Sequence, residues 1–148
     1  MKKLKTFFSL ALVSILLVGC TTSKAYTWKV ETGDNIKVSL KTNDGYDISS
    51  NNPFEISKDG KIISYGMFVS NDTCEQYRAL VANSTDVKII DQGNKNGVEY
   101  IFYEYQNSIK EYNYILKVND SNTGILLANS TSETDAEEIF NRLTFSKK

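Results

Sequence analysis

Apolar and polar residues alternate along most of the chain beyond residue 25, the period of a half-buried strand. Tyr26-Thr27-Trp28-Lys29-Val30 opens the pattern. Ile36-Lys37-Val38-Ser39-Leu40 repeats it, with Ile36, Val38 and Leu40 on one face. Thr32-Gly33-Asp34-Asn35 and Asn43-Asp44-Gly45 punctuate these runs as turns. Residues 46–48 and 54–57 read as short strands around a polar stretch at 49–53. Lys58-Asp59-Gly60-Lys61 carries the Asp-Gly pair of a tight hairpin. The apolar run 62–69 should pair back across it, with Gly66 as a bulge or a point of close contact.

The period then changes. Cys74, Tyr77, Leu80 and Val81 recur at spacings of three and four, so a helix is expected from about Asp72 to Asn83-Ser84. Asp72 and Glu75 fit a capping-box variant at its start. Strand patterns resume at 87–91, 98–105, 112–117 and 123–128. Gly93-Asn94-Lys95-Asn96-Gly97 joins the first two as a polar turn, 106–110 joins the next two, and 119–122 turns the chain once more. A second helix begins near Ser132, which pairs with Asp135 as a cap. Ala136, Ile139, Phe140 and Leu143 form its apolar stripe, and Phe145 docks the tail back on the sheet. Hairpin signals dominate. The expected fold is therefore α+β, a mainly antiparallel β-sheet with two amphipathic helices packed on it.

The first twenty residues follow a different logic. Lys2, Lys3 and Lys5 precede an apolar run over 7–18 that only Ser9 and Ser14 interrupt. Twelve helical residues rise about 18 Å, short of a ~30 Å hydrocarbon core, so the run reads as a signal peptide. It ends in Leu17-Val18-Gly19-Cys20, which resembles the lipobox of bacterial lipoproteins. That resemblance implies a diacylglycerol on Cys20 and cleavage after Gly19. It also implies attachment to the outer face of a bacterial cytoplasmic membrane. Two acyl chains meet the requirement for stable anchoring without a membrane span. The expected organisation is a signal peptide over 1–19, the lipidated cysteine with a short tether over 20–25, and one domain over 26–148.

Charge and composition narrow the chemistry. The 148 residues carry 17 basic and 18 acidic side chains and no histidine. That excludes a Ser-His-Asp triad, an imidazole base and a histidine-bearing zinc site. Cleavage after Gly19 removes three lysines and leaves 14 basic against 18 acidic groups, a net charge of −4. Such a domain is unsuited to nonspecific nucleic-acid binding or to anchoring by a polybasic patch. With Cys20 acylated, Cys74 has no partner for an intramolecular disulfide and reads as a buried, inert thiol.

The early Trp28 strand, the 36–40 strand, Gly45-Tyr46 with Pro53-Phe54, the 58–61 hairpin and the closing helix with its hydrophobic tail are dispersed motifs. Together, over about 26–145, they resemble the superfamily that contains PsbP and Mog1, especially its small bacterial lipoprotein members. The resemblance implies a curved antiparallel sheet with helices packed on it, and no shared catalytic residue.

Nine tyrosines are the main candidate chemistry. Tyr103 and Tyr105 share one strand face, and Tyr112 and Tyr114 share a face of the neighbouring strand. Paired in a hairpin, the four would form one aromatic patch, apolar in area and polar at the tips, suited to a protein or small ligand. Cross-strand packing beneath a helix is the simpler use of the same residues, and the exposure of Tyr103 and Tyr105 distinguishes the two. Asp120-Ser121-Asn122-Thr123-Gly124 carries the oxygen-rich start of a calcium loop, but Glu133 falls one position too far for the closing ligand. It reads as a plain turn, so no metal and no cofactor are expected. Glu99, Glu104 and Glu111 are the nearest candidates for a glycosidase-type carboxylate pair. The expected function is a lipid-anchored extracytoplasmic binding or accessory protein without catalysis. A structural or assembly lipoprotein of an envelope complex is the first alternative, and a carboxylate-based carbohydrate-processing enzyme the second.

Overall fold

The computed structural model describes residues 22–106 and 108–148. The segment 1–19 expected as a signal peptide and the expected lipidation site Cys20 lie outside these residues. The described chain runs β1 (Ser23–Lys29), β2 (Asn35–Lys41), a 3₁₀ turn (Asn43–Gly45), β3 (Tyr46–Ile48), β4 (Phe54–Lys58), β5 (Lys61–Ser70) and α1 (Asn71–Asn83). It continues as β6 (Val87–Lys95), β7 (Val98–Gln106), β8 (Lys110–Val118), β9 (Thr123–Asn129), α2 (Glu133–Arg142) and β10 (Leu143–Lys147).

All pairings are antiparallel, as the hairpin signals required. The strands form two sheets instead of the expected one. A seven-stranded sheet has the order β3-β4-β5-β9-β8-β7-β6, and a three-stranded sheet has the order β1-β2-β10. The second sheet exists because the tail is more than a docked Phe145. Leu143 to Lys147 pair with Leu40 to Ile36, and alternation buries Leu143 and Phe145. Within the span 20–25 expected as a tether, Ser23, Lys24 and Ala25 belong to β1 and pair with Lys41, Leu40 and Ser39.

The core lies between the two sheets. Ile36, Val38 and Leu40 of β2 face Phe102, Leu116 and Ile125 of the large sheet, all but excluded from water. α2 closes the same core with Ala136, Ile139 and Phe140. Its predicted cap holds, because Ser132 accepts from Asp135 N. Among the described residues, the opposite, outer face of the large sheet is covered by α1, in a smaller cluster of Cys74, Val81, Ile101 and Ile115.

Several boundaries differ from the sequence reading. α1 is capped by Ser70, whose Oγ accepts from Thr73 N at 3.2 Å, and not by Asp72. Ser70→Ala should therefore cost about 1 kcal/mol, read as a fall in the urea midpoint. β6 runs on to Lys95, so the turn shrinks from five residues to Asn96-Gly97, at φ 57° and 86°. Those angles match a two-residue hairpin turn, whose twist suits the flanking strands. Gly66 is a close-contact point: a β-carbon there would overlap the Phe54 ring. The irregularity in this hairpin falls instead between Ile56 and Ser57.

Candidate interaction surface

Register decides where the tyrosines go. β7 pairs with β8 so that Phe102 opposes Tyr114, Tyr103 opposes Asn113, Glu104 opposes Tyr112 and Tyr105 opposes Glu111. Directly opposed residues share a face. Tyr112 and Tyr114 therefore point into the core side, and Tyr103 and Tyr105 point to the outer side. The four do not form one patch. This corrects the expected arrangement, and the cause is a one-residue difference in register, which exchanges the faces of a whole strand.

Tyr114 is a core residue. It stacks on Phe102 at 4.2 Å between centroids and on Phe140 at 4.5 Å. Burial pushes its phenol far above the usual range. Tyr112 is half-buried at the margin of that core. Burial also raises Tyr103, and a bond with the Asn113 side chain opposes the rise.

α1 covers only part of the outer face. Its covered row is Leu126, Ile115 and Ile101, paired across β9, β8 and β7. The next row on that face contains Tyr65, Ala128, Asn113, Tyr103 and Ile89. It is only partly shielded. Tyr65 is 46% exposed and Met67, on the same face, is 44% exposed. Tyr103 and Tyr105 are half-buried along it. A hollow of about 500 Å³ lies at one end, lined by Tyr65, Ile109, Glu111, Asn113 and Ala128. Ile109 at its lip is 75% exposed.

Tyr65 and Met67 were absent from the sequence-based candidates. The signal was present in the alternation Tyr65, Met67, Val69, but a run rich in apolar residues reads as buried on both faces. The α1 stripe misled in the same way. Cys74 and Val81 are buried, whereas Tyr77 and Leu80 are 40% and 66% exposed. The helix turns Arg78 to the sheet instead, where it meets Glu99 at 3.1 Å. Cys74 is fully buried, and its thiol is raised chiefly by that burial.

The carboxylates are dispersed. Glu99 pairs with Arg78 on the outer face, and Glu104 pairs with Lys110 at 3.0 Å on the other. Glu111 shares the outer face with Glu99, but Glu99 opposes Lys117, six positions along β8 from Glu111. That separates them by ~20 Å, well beyond the spacing of a glycosidase pair. Within the 120–124 segment, the turn gives way to β9 at Thr123, and the Ser121 and Thr123 hydroxyls bond within the protein. Ser121 Oγ donates to Val118 O at 2.8 Å and accepts from Thr123 N at 3.0 Å. Among the described residues no three His, Cys, Asp or Glu side chains cluster as metal ligands.

A second concavity, a groove of about 630 Å³, lies where the β1–β2 turn faces β5. Val30, Glu31, Thr32, Pro53, Phe68 and Ser70 line it. Beside it, Asp34 is nearly buried and accepts from Asn122 N at 2.8 Å and Thr123 Oγ1 at 2.9 Å. Lys147 lies 3.0 Å away as its counter-charge. Burial would raise this carboxyl, but Lys147, Asn122 and Thr123 together outweigh that and hold it below its ordinary value.

Compared with family models, with curated proteins and with solved structures, the chain matches none.

Proposed function

We propose that the chain is a lipid-anchored extracytoplasmic binding protein of the bacterial envelope, acting without catalysis and attached to the outer face of the cytoplasmic membrane through acylated Cys20. Its domain would be a PsbP/Mog1-like one, a reading supported by helices lying on an antiparallel sheet. The partner is a protein that covers the part of the outer sheet face left open by α1. The observation that carries this is the exposure of Tyr65 and Met67 on the face that also holds half-buried Tyr103, with β9 and β8 between them in the sheet. Apolar and aromatic side chains grouped on one rigid sheet, with polar Asn113 and Glu111 nearby, have the composition of a recognition patch.

Two measurements test the reading. The double variant Tyr65→Lys/Met67→Lys should lower chemical cross-linking to a membrane-fraction partner at least tenfold. Its thermal midpoint should stay within about 3 °C, because exposed positions contribute little to stability. Undiminished cross-linking would remove this surface from the proposal. Cys20→Ser should abolish acylation and leave the signal segment uncut, so that protein found in the membrane fraction still carries residues 1–19. Retention at the wild-type level, with residues 1–19 removed, would overturn the anchor.

A further inference from the structure

The body of the domain begins almost at the anchoring residue. Thr22 O accepts from Thr42 N at 2.9 Å, and Thr42 Oγ1 donates to Thr22 Oγ1 at 3.1 Å. From the next residue onward β1 is paired with β2. Two residue steps from Cys20 to Thr22 span at most ~7 Å. A tether of that length cannot let the domain tumble freely above a bilayer. It holds one corner of the fold down.

That corner has a definite composition. The 3₁₀ turn over Asn43–Gly45 continues from Thr42, and Asp59 N donates to Gly45 O at 2.9 Å, which brings in the β4–β5 turn. The acidic groups there are largely matched. Asp44 pairs with Arg142 at 2.8 Å and Asp47 with Lys24 at 2.9 Å. Lys41 shares a surface hollow with Glu137, Glu138 and Arg142, Lys58 lies near Glu138 and Asp135, Lys61 stands with Asp59, and Ile62 beside them is 38% exposed. Charges of both signs therefore meet at this corner, and the short tether alone sets which side of the domain faces the bilayer.

β1 leads away from the corner. Six residue steps from Ser23 to Lys29 carry the chain ~20 Å, and the groove at Val30, Glu31 and Thr32 follows directly. We infer that the corner of Thr22, the Asn43–Gly45 turn and the β4–β5 turn rests on the lipid headgroup layer, and that the groove beside the β1–β2 turn is held a strand length farther out, open to the side away from the bilayer. This rests on the lipid-anchored reading above. The short tether orients the domain; the acyl chains hold it.

Fluorescence quenching tests the orientation. The full acylated protein is made with single added cysteines, Lys61→Cys at the corner and Glu31→Cys at the groove, both exposed positions. Buried Cys74 stays unlabelled. Each variant is labelled with an environment-sensitive fluorophore and reconstituted into phosphatidylglycerol/phosphatidylcholine vesicles carrying a headgroup nitroxide. The expected result is quenching at residue 61 at least threefold stronger than at residue 31. Equal quenching at the two positions, or stronger quenching at residue 31, overturns the orientation. The mass of the N-terminal peptide separates the two readings. A diacylated Cys20 with equal quenching removes only the orientation, whereas an unmodified Cys20 removes the anchor and the orientation with it.

Discussion

Phe140→Ala is expected to destabilise the domain by about 3–5 kcal/mol, the range for removing a large aromatic from a packed core. Phe140 is 1% exposed and lies 4.5 Å from the Tyr114 ring and 5.0 Å from the Tyr100 ring. Tyr114 in turn stacks on Phe102, so one column of rings ties α2 to β7 and β8. α2 buries only Ala136, Ile139 and Phe140. Ala136 is small, and Ile139 alone cannot fill the volume that the ring leaves. The loss also reaches β10, which continues directly from α2 and completes the small sheet. Against a typical total of ~5–15 kcal/mol, this is a large share. In urea the midpoint should fall while the slope is unchanged. Phe140→Leu, which keeps most of the volume, should lose less than about 2 kcal/mol. Equal losses in the two variants would show that filling the volume beside Tyr114 is not what holds α2.

The elements that were legible in the sequence are those whose period and punctuation agree. α2 is one. Its stripe at 136, 139, 140 and 143 and its Ser132 cap are local signals, and the structure uses all of them. The Asp59-Gly60 and Asn96-Gly97 turns are others, because few residues adopt a positive φ without strain. What was not legible depends on pairing between distant segments. The division into two sheets follows from β10 choosing β2 as its partner, and nothing in Leu143-Thr144-Phe145 names that partner. The face of each tyrosine follows from the β7–β8 register, which the spacing of Tyr103, Tyr105, Tyr112 and Tyr114 leaves open. The exposure of Tyr65 and Met67 follows from how far α1 reaches across the sheet. Arg78 and Glu99, twenty-one residues apart, help to set that reach. Pattern gives the faces of an element; tertiary contact decides which face is covered.

Asp34→Ala should cost about 1–3 kcal/mol at neutral pH, since it removes the acceptor of the part-buried Asn122 N–H and leaves the Thr123 hydroxyl with Thr32 alone. Asp34 Oδ2 receives Asn122 N and Thr123 Oγ1, and Oδ1 meets Lys147. One side chain thus links the β1–β2 turn, the β8–β9 turn and the end of β10. The folded-state carboxyl titrates below its ordinary value, because those contacts outweigh the cost of burial. A lowered folded value means that the stabilisation is complete above the unfolded value, near ~4. It is lost as pH falls through the lower, folded value. Wild type should therefore lose stability as pH falls below about 4, and its advantage over Asp34→Ala should shrink in that range. Asp47, lowered by Lys24 and by Ile48 N, contributes in the same direction, but both proteins keep it and it cancels from the difference. Lys147→Met separates charge from hydrogen bonding. The lysine side chain is 41% exposed, so its removal should cost less than about 1 kcal/mol and move the acid transition to higher pH. Guanidinium melts at pH 7, 5, 4 and 3 measure all three proteins. If Asp34→Ala loses as much at pH 3 as at pH 7, the charge of Asp34 plays no part in joining the turns.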